Sequence, residues 1–475
     1  MDEKKRLLKN TVIISVGSIT TKMLSFFLIP FYTIYLNNTE YGLYDYICTL
    51  GTCIVPIMSM LMDESMFRFL IDCKSGEEKK AVITNSLLIQ ILGMLLIVIF
   101  GCVSYYIFNI KYSFFITLYY FACSMAYIIN PILRGQGLFI LYTLYNAAIS
   151  LLLVTLTIVV VVFFDMKVDG LLLANASAHI IISILIGTYI KIWRFFDFHF
   201  YKLAKIREMV LYSLPLIPNR IALVIMSIAD RIIIISFLDF AAAGIYAVAN
   251  KLATVIGVIY GFFGIAWQET AARVVKTEDS KDLYNNLFFT TYYFLASILI
   301  WILTIIPYVF YFFIDVKFFE AMNYIPLLFL SAYFYCLAIF LGGILTAHKD
   351  TVAVGYTTIS AVTTNVILGI LLIDKLGVVY GVSFANCVAN FVMFQHRKIC
   401  VNKYSVIKCF DSGFISLNII VSSFVVFSYY WKNQYLNFFS FFFASLYLVF
   451  ILKKLGFIVI IQSKIYDFYS SKICK

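Results

Sequence analysis

The sequence predicts an all-α polytopic membrane protein of about 14 transmembrane helices. Of its 475 residues, 63% are hydrophobic and only 13% charged, against roughly 25% charged in soluble domains. Its apolar runs recur at about 20 residues, the length that crosses a hydrocarbon core about 30 Å thick. Its Lys and Arg residues fall mainly on alternate loops, as a threaded chain requires. No soluble domain of useful size remains.

The first apolar run, 10–36, follows the basic cluster Lys4, Lys5, Arg6 and Lys9 and ends at Asn37-Asn38. It is too long for a signal peptide and lacks a small-residue cleavage site, so the first helix is expected to be retained. Spans 41–62, 81–108, 113–133, 138–164 and 168–190 complete a set of six. A second six runs 213–237, 244–267, 287–313, 323–347, 352–373 and 376–394, and two more, 413–431 and 436–451, close the chain. The run 455–461 is too short to cross and is expected at the interface. Between the sets, 191–208 mixes Lys and Arg with Trp193, Phe195, Phe196, Phe198, Phe200 and Tyr201. That pattern suits an interfacial amphipathic helix, either a plain aromatic anchor or a headgroup contact.

The expected organisation is an N-terminal lobe (1–190), a cytoplasmic amphipathic linker (191–212), a C-terminal lobe (213–400), and two extra helices with a basic tail (401–475). Glu40-Tyr41-Gly42-Leu43-Tyr44 after the first span matches Ala242-Ala243-Gly244-Ile245-Tyr246 after the seventh, 202 positions later. Six spans separate the copies, so the repeat is parallel, with its axis along the membrane normal, as in several alternating-access transporters. With the N-terminus in the cytoplasm, about 27 of the 36 Lys and Arg lie in inside segments and about 5 outside. This places both termini inside. The net charge of +11 then reflects topology and contact with anionic membrane lipids, not nucleic-acid binding.

Four cations, Lys22, Arg220, Arg231 and Lys251, lie deep in the apolar spans, and Asp230 is the one acid read as comparably deep. Each such charge costs about 2.5 to 3.5 kcal/mol on insertion scales, so several are kept where they face water or a ligand. Arg220 and Arg231 are eleven residues apart, nearly on one helical face and about 16 Å apart along the axis. They form a stripe suited to an anion, unless Asp230 merely neutralises Arg231 and Arg220 snorkels. Lys22 and Lys251 would complete a ring if their helices border the same cleft. Pro215 and Pro218 mark either a helix start or a hinge. Asp230 is the first candidate to carry a coupling proton or sodium ion, with Glu64 and Glu269 behind it. No other cofactor is expected.

Catalysis finds no support. The four histidines stand far apart, and no zinc-protease, Walker or dinucleotide-binding pattern is present; no metal site is expected. The ten cysteines are scattered, with none in an outside loop, and read as core fillers.

The run Ser213-Leu214-Pro215-Leu216-Ile217-Pro218-Asn219, then Asp230-Arg231, then Gly244-Ile245-Tyr246-Ala247-Val248-Ala249-Asn250-Lys251, resembles the mid-chain signature of polysaccharide-biosynthesis flippases. These O-antigen and capsule repeat-unit exporters belong to the multidrug/oligosaccharidyl-lipid/polysaccharide (MOP) superfamily. Lys22, Pro30, Tyr41-Gly42-Leu43-Tyr44, Arg68 and Leu133-Arg134-Gly135-Gln136-Gly137 are similar to the same family. The resemblance covers roughly the first twelve spans. It implies a MATE-like fold in a bacterial cytoplasmic membrane, moving an undecaprenyl-pyrophosphate-linked oligosaccharide outward through a cationic cavity. It further implies Arg68 and Arg134 as inner-gate or loop contacts, and a polysaccharide polymerase and chain-length regulator as partners.

Three alternatives are distinguishable. A lipid II flippase would carry a chemically similar cargo and is poorly separated by sequence. A MATE-type antiporter of small molecules or ions should show acids, not bases, in its cleft. A membrane-embedded polymerase should carry a substantial outer loop, and this chain has none.

Overall fold

Helices account for most of the described residues, because apolar sequence in a bilayer must satisfy its backbone polar groups internally. The structure is a computed structural model that describes residues 21, 23–24, 26–275, 280–406, 412–431 and 433–455. The basic N-terminal cluster, the expected interfacial run 455–461 and the tail beyond it lie outside the described residues, apart from Leu455.

In chain order the helices are α1 (Phe26–Tyr35), α2 (Asn38–Met58), α3 (Met62–Asp72), α4 (Gly76–Tyr106), α5 (Ser113–Gly135), α6 (Phe139–Phe164), α7 (Val168–Tyr189), α8 (Leu203–Ser213), α9 (Leu216–Phe237) and α10 (Phe240–Val274). They continue as α11 (Ser280–Phe313), α12 (Ile325–Ala347), α13 (Thr351–Leu371), the short α14 (Ile373–Leu376), α15 (Val378–Val401), α16 (Ser412–Trp431) and α17 (Gln434–Lys454). Among the described residues, ten helices are long and apolar enough to cross a membrane, or eleven if the bent pair α2 and α3 forms one span. The expected spans at 10–36 and 413–431 are described with their side chains only in part, as the apolar helices Phe26–Tyr35 and Ser416–Trp431, and α9 holds Arg220, Asp230 and Arg231 within 22 residues; these three account for the difference from the expected count of about 14.

The helices expose apolar side chains along whole faces, such as Ile91, Leu92, Leu95 and Ile99 on α4 and Leu144, Leu151, Ile158 and Val162 on α6. Faces of this length have no place in water. This is a multi-pass membrane protein.

The chain divides within α10 into two compact units, Met1–Val248 and Ala249–Lys475. This division follows packing, whereas the lobe boundary at 191–212 follows the sequence repeat. In the first unit, Met62, Met66, Leu70, Ile83, Leu87, Ile132 and Met209 form one core cluster joining α3, α4, α5 and α8. A second cluster of Ile129, Leu133, Tyr145, Ile149 and Ala178 joins α5, α6 and α7. In the second unit, α12 and α13 both pack on α15, and α11 packs on α16 and α17. Trp267 stacks on Phe340 at 4.0 Å while its Nε1 donates to the Phe340 carbonyl.

Two departures from the expected spans matter for the site. The span expected at 41–62 breaks after Met58, and α3 leaves at 56°. The break is a Schellman-type cap: Leu61 N donates to Pro56 O and Met60 N to Ile57 O. Glycine usually takes that left-handed position, but here Met60 (φ 53°) and Leu61 (φ 52°) occupy it. The linker is not one amphipathic helix either. It forms two 3-10 turns, Ile192–Arg194 and Phe198–Phe200, before α8 begins at Leu203.

Side chains of α4 compete for the linker backbone and win. Thr84 Oγ1 donates to Phe195 O and accepts from Asp197 N, and Asn85 bonds both Phe200 O and Lys202 N. The Asp197 carboxylate accepts from the His199 backbone N–H, which holds its pKa below the usual carboxylate range.

The repeat offset reappears in the contact between α2 and the start of α10. A Cβ on Gly42 would collide with the Phe240 carbonyl, and one on Gly244 with the Asn38 carbonyl. The offset of 202 positions that relates 38 to 240 and 42 to 244 converts one contact, 42 with 240, into the other, 244 with 38. Reciprocal contacts of this kind are what a two-fold relation produces.

Candidate functional site

Helix α9 starts where α8 stops. Leu214 and Pro215 make the turn between them; Pro215 is the N-cap of α9 at φ −64° and Pro218 lies in its first turn, where a missing N–H is tolerated. The helix then carries Arg220, Asp230 and Arg231 into the first unit.

Arg231 Nε donates to Asp45 Oδ2 at 2.7 Å, with both side chains largely buried (10% and 13% exposed). This corrects the reading of Asp230 as the one deep acid. A capping box, in which Asn37 and Glu40 bond each other's backbone N–H, starts α2 at Asn38. Asp45 is therefore about 10 Å inside the helix, not at its mouth. Asp230 instead accepts from the buried Tyr246 hydroxyl at the start of α10. The adjacent Asp230, the alternative counter-charge in the sequence, still acts on Arg231, but the carboxylate that bonds the guanidinium at 2.7 Å comes from a distant helix.

Arg220, eleven residues earlier, forms no ion pair among the described residues. Its Nε is buried with no hydrogen-bond partner, and its charge acts on Asp63 of α3 and Tyr127 of α5. The stripe on α9 is thus two different sites: a guanidinium paired with a carboxylate at Arg231, and one at Arg220 that hydrogen-bonds Tyr127 but has no carboxylate partner among the described residues and an unpartnered Nε.

Beside Arg220's neighbours lies a cavity of about 280 Å³ between α3, α5 and α6, lined by Asp63, Glu64, Tyr127, Asn130, Arg134 and Tyr142 among others. Arg134 lies 4.2 Å from the Phe67 ring centroid and 5.8 Å from that of Tyr142, cation–π geometry that fixes its direction. Arg68 is not part of this cavity; it is exposed and pairs with Asp72 at 2.7 Å. Lys22 lies outside the described residues, and of Glu269 only the backbone is described. Lys251 is half-buried on α10 in the second unit and forms no ion pair among the described residues.

Sequence reasoning missed one buried cation of the second unit. Arg397, assigned to the inside loops by charge counting, is 4% exposed in α15. It donates to Ala338 O, Thr357 Oγ1 and Thr358 Oγ1, which ties α12, α13 and α15 together without a carboxylate among the described residues. The adjacent Thr357-Thr358 on a helix otherwise facing lipid was the available signal. No group of three or more metal-ligating side chains occurs among the described residues.

This fold is that of the MOP-superfamily transporters. The structure of lipid II flippase MurJ in an inward closed conformation aligns with a TM-score of 0.74 at 14% identity, over 94% of this chain and 100% of that one. A MATE-family multidrug resistance transporter aligns in its inward-facing conformation at 0.66 and 13% identity, over 82% and 95%. An outward-facing conformation of such a transporter aligns at 0.58 and 15% identity, over 85% and 97%. No curated protein matches the chain by sequence. The family model for polysaccharide biosynthesis proteins matches residues 7–268, more than half of the chain, and the protein belongs to that family.

Proposed function

We propose that the chain is a flippase that moves a polyprenyl-pyrophosphate-linked oligosaccharide from the cytoplasmic to the outer leaflet of a bacterial membrane by alternating access. Both termini lie in the cytoplasm in this reading, and a polysaccharide polymerase and chain-length regulator act on the exported unit. The observation that carries it is Arg220. An arginine inside the first unit with a buried, unpartnered Nε is expensive unless a ligand supplies the missing acceptor. A diphosphate does so, because planar guanidinium donors match phosphate oxygens. Arg231 is spoken for by Asp45 and serves to hold α9 in place, while Lys22 and Lys251 remain candidate contacts along the path.

The membrane potential contributes about 2.3 kcal/mol per charge per 100 mV. With the interior negative it favours outward movement of an anionic headgroup, so no coupling ion is required. Asp230 remains the residue to carry one. The likeness to MurJ favours lipid II as a second cargo, but family membership speaks for polysaccharide units.

The test is reconstitution in proteoliposomes with a defined undecaprenyl-pyrophosphate oligosaccharide, with flipping read by outer-leaflet accessibility of the glycan. Arg220→Ala is expected to slow flipping roughly ten- to hundredfold, the loss of one or two charge-assisted hydrogen bonds, and Arg220→Lys by less. Equal rates for wild type, Arg220→Ala and Lys22→Ala would sink the cationic path. Imposed proton or sodium gradients, compared in wild type and Asp230→Asn, decide the coupling.

A further inference from the structure

We infer that the cavity between α3, α5 and α6 is a sugar subsite, which holds the saccharide residue adjoining the diphosphate while Arg220 engages the diphosphate itself. This deepens the proposed function and rests on it. At about 280 Å³ the cavity is just under the range of about 300–1,000 Å³ typical of small-molecule sites, suited to one sugar ring rather than a lipid tail.

Its lining argues for a neutral polyhydroxylated guest. Two carboxylates, Asp63 and Glu64, line it with a single arginine, Arg134, so a second anion would meet net negative charge. Carboxylates accept only, and sugar hydroxyls donate. Asp63 Oδ1 is buried with no hydrogen-bond partner, an acceptor awaiting such a donor. Asn130 Oδ1 already accepts from Asn146 Nδ2, which leaves the Asn130 amide N–H as the donor for a sugar oxygen, and the Tyr127 and Tyr142 rings offer apolar faces to the C–H face of a pyranose. Arg134, held over Phe67, donates to ring or hydroxyl oxygens.

Position completes the argument. Arg220 hydrogen-bonds the side chain of Tyr127 in the cavity wall, so a cation with no carboxylate partner among the described residues and an unpartnered Nε adjoins the cavity. In a lipid-linked glycan the first sugar is bonded to the diphosphate, and the two recognition elements are adjacent in the same way. Arg220 also offsets the extra acid, which leaves the pair of subsites near neutrality before the anion arrives.

The experiment is saturation-transfer NMR on the full chain in nanodiscs, with a panel of free hexoses and N-acetylhexosamines at tens of millimolar. Inorganic pyrophosphate and tetraphenylphosphonium serve as counter-probes. At least one sugar is expected to bind, with affinity about tenfold weaker in Asp63→Asn, Asn130→Leu and Tyr142→Ala, the value of a lost hydrogen bond or stacking face. Pyrophosphate binding should persist in all three variants, which shows that they are folded, and fall in Arg220→Ala.

No saturation transfer from any sugar, sugar binding indifferent to the three variants, or tetraphenylphosphonium competing for the cavity would each overturn the subsite. Sugar binding without flipping of the lipid-linked glycan would remove the proposed function and leave the subsite standing. Flipping without sugar contact would do the reverse.

Discussion

Asp45 and Arg231 illustrate how one buried pair constrains the rest of the molecule. Separating a buried ion pair by removing one charge leaves the other uncompensated and costs about 3–5 kcal/mol, whereas replacing both with apolar residues of similar volume is often neutral. Asp45→Asn is therefore expected to lower the thermal midpoint in detergent sharply, and Asp45→Leu with Arg231→Met to recover most of the loss. An unchanged midpoint in Asp45→Asn would mean that the pair is not formed in the folded protein. At this scale the sequence was legible where a charge interrupts an apolar run, as at Arg220 and Arg231. It was illegible where a charge sits near a helix end. Asp45 stands at the edge of the expected span 41–62 and Arg397 just past the expected span 376–394, both within eight residues of the termini of α2 and α15, so neither looked deep, and only packing reveals that neighbouring helices cover them.

Individual helices were the most readable level, because a bilayer imposes one ruler on every span. The expected 113–133, 138–164 and 168–190 agree with α5, α6 and α7 to within two residues at each end. The break between α2 and α3 was unreadable because its signature residue is absent. Met60 takes the left-handed position that glycine fills in most such caps, and a non-glycine residue there costs about 1–2 kcal/mol. Met60→Gly is expected to raise stability by about 0.5–1 kcal/mol. Met60→Val should lower it by at least as much, since β-branched residues fit this region worst. Chemical denaturation of the two variants checks the prediction, and a fall in both would mean that the Met60 side chain, not its backbone, holds the break. The linker failed as a helix for a related reason: Thr84 and Asn85 of α4 lie a hundred positions away and offer it a better set of hydrogen bonds than its own helix would.

For the molecule as a whole, the repeat was legible as a 202-residue offset, and its physical meaning emerges only at the Gly42–Gly244 contact. Two helices approach there until backbone meets backbone, as small residues allow in membranes. Gly42→Ala and Gly244→Ala should each cost about 1–3 kcal/mol through overpacking and slow flipping. The double variant should cost less than the sum, because one displacement of the helices relieves both clashes. Strict additivity would show that the two glycines do not share a contact.

The Arg231–Asp45 bond spans 186 positions of sequence, and that separation bears on how the chain is made. Helix α9 brings three ionisable side chains, each unfavourable by about 2.5 to 3.5 kcal/mol to the insertion machinery, and as an isolated segment it is a poor substrate for membrane entry. Synthesis from the N-terminus installs α2 first, so the carboxylate is already waiting when the guanidinium leaves the ribosome. Biogenesis of α9 is then templated by an earlier helix. An accessibility tag placed after residue 238 should report α9 stranded outside the lipid in a larger share of Asp45→Leu chains than of wild-type chains.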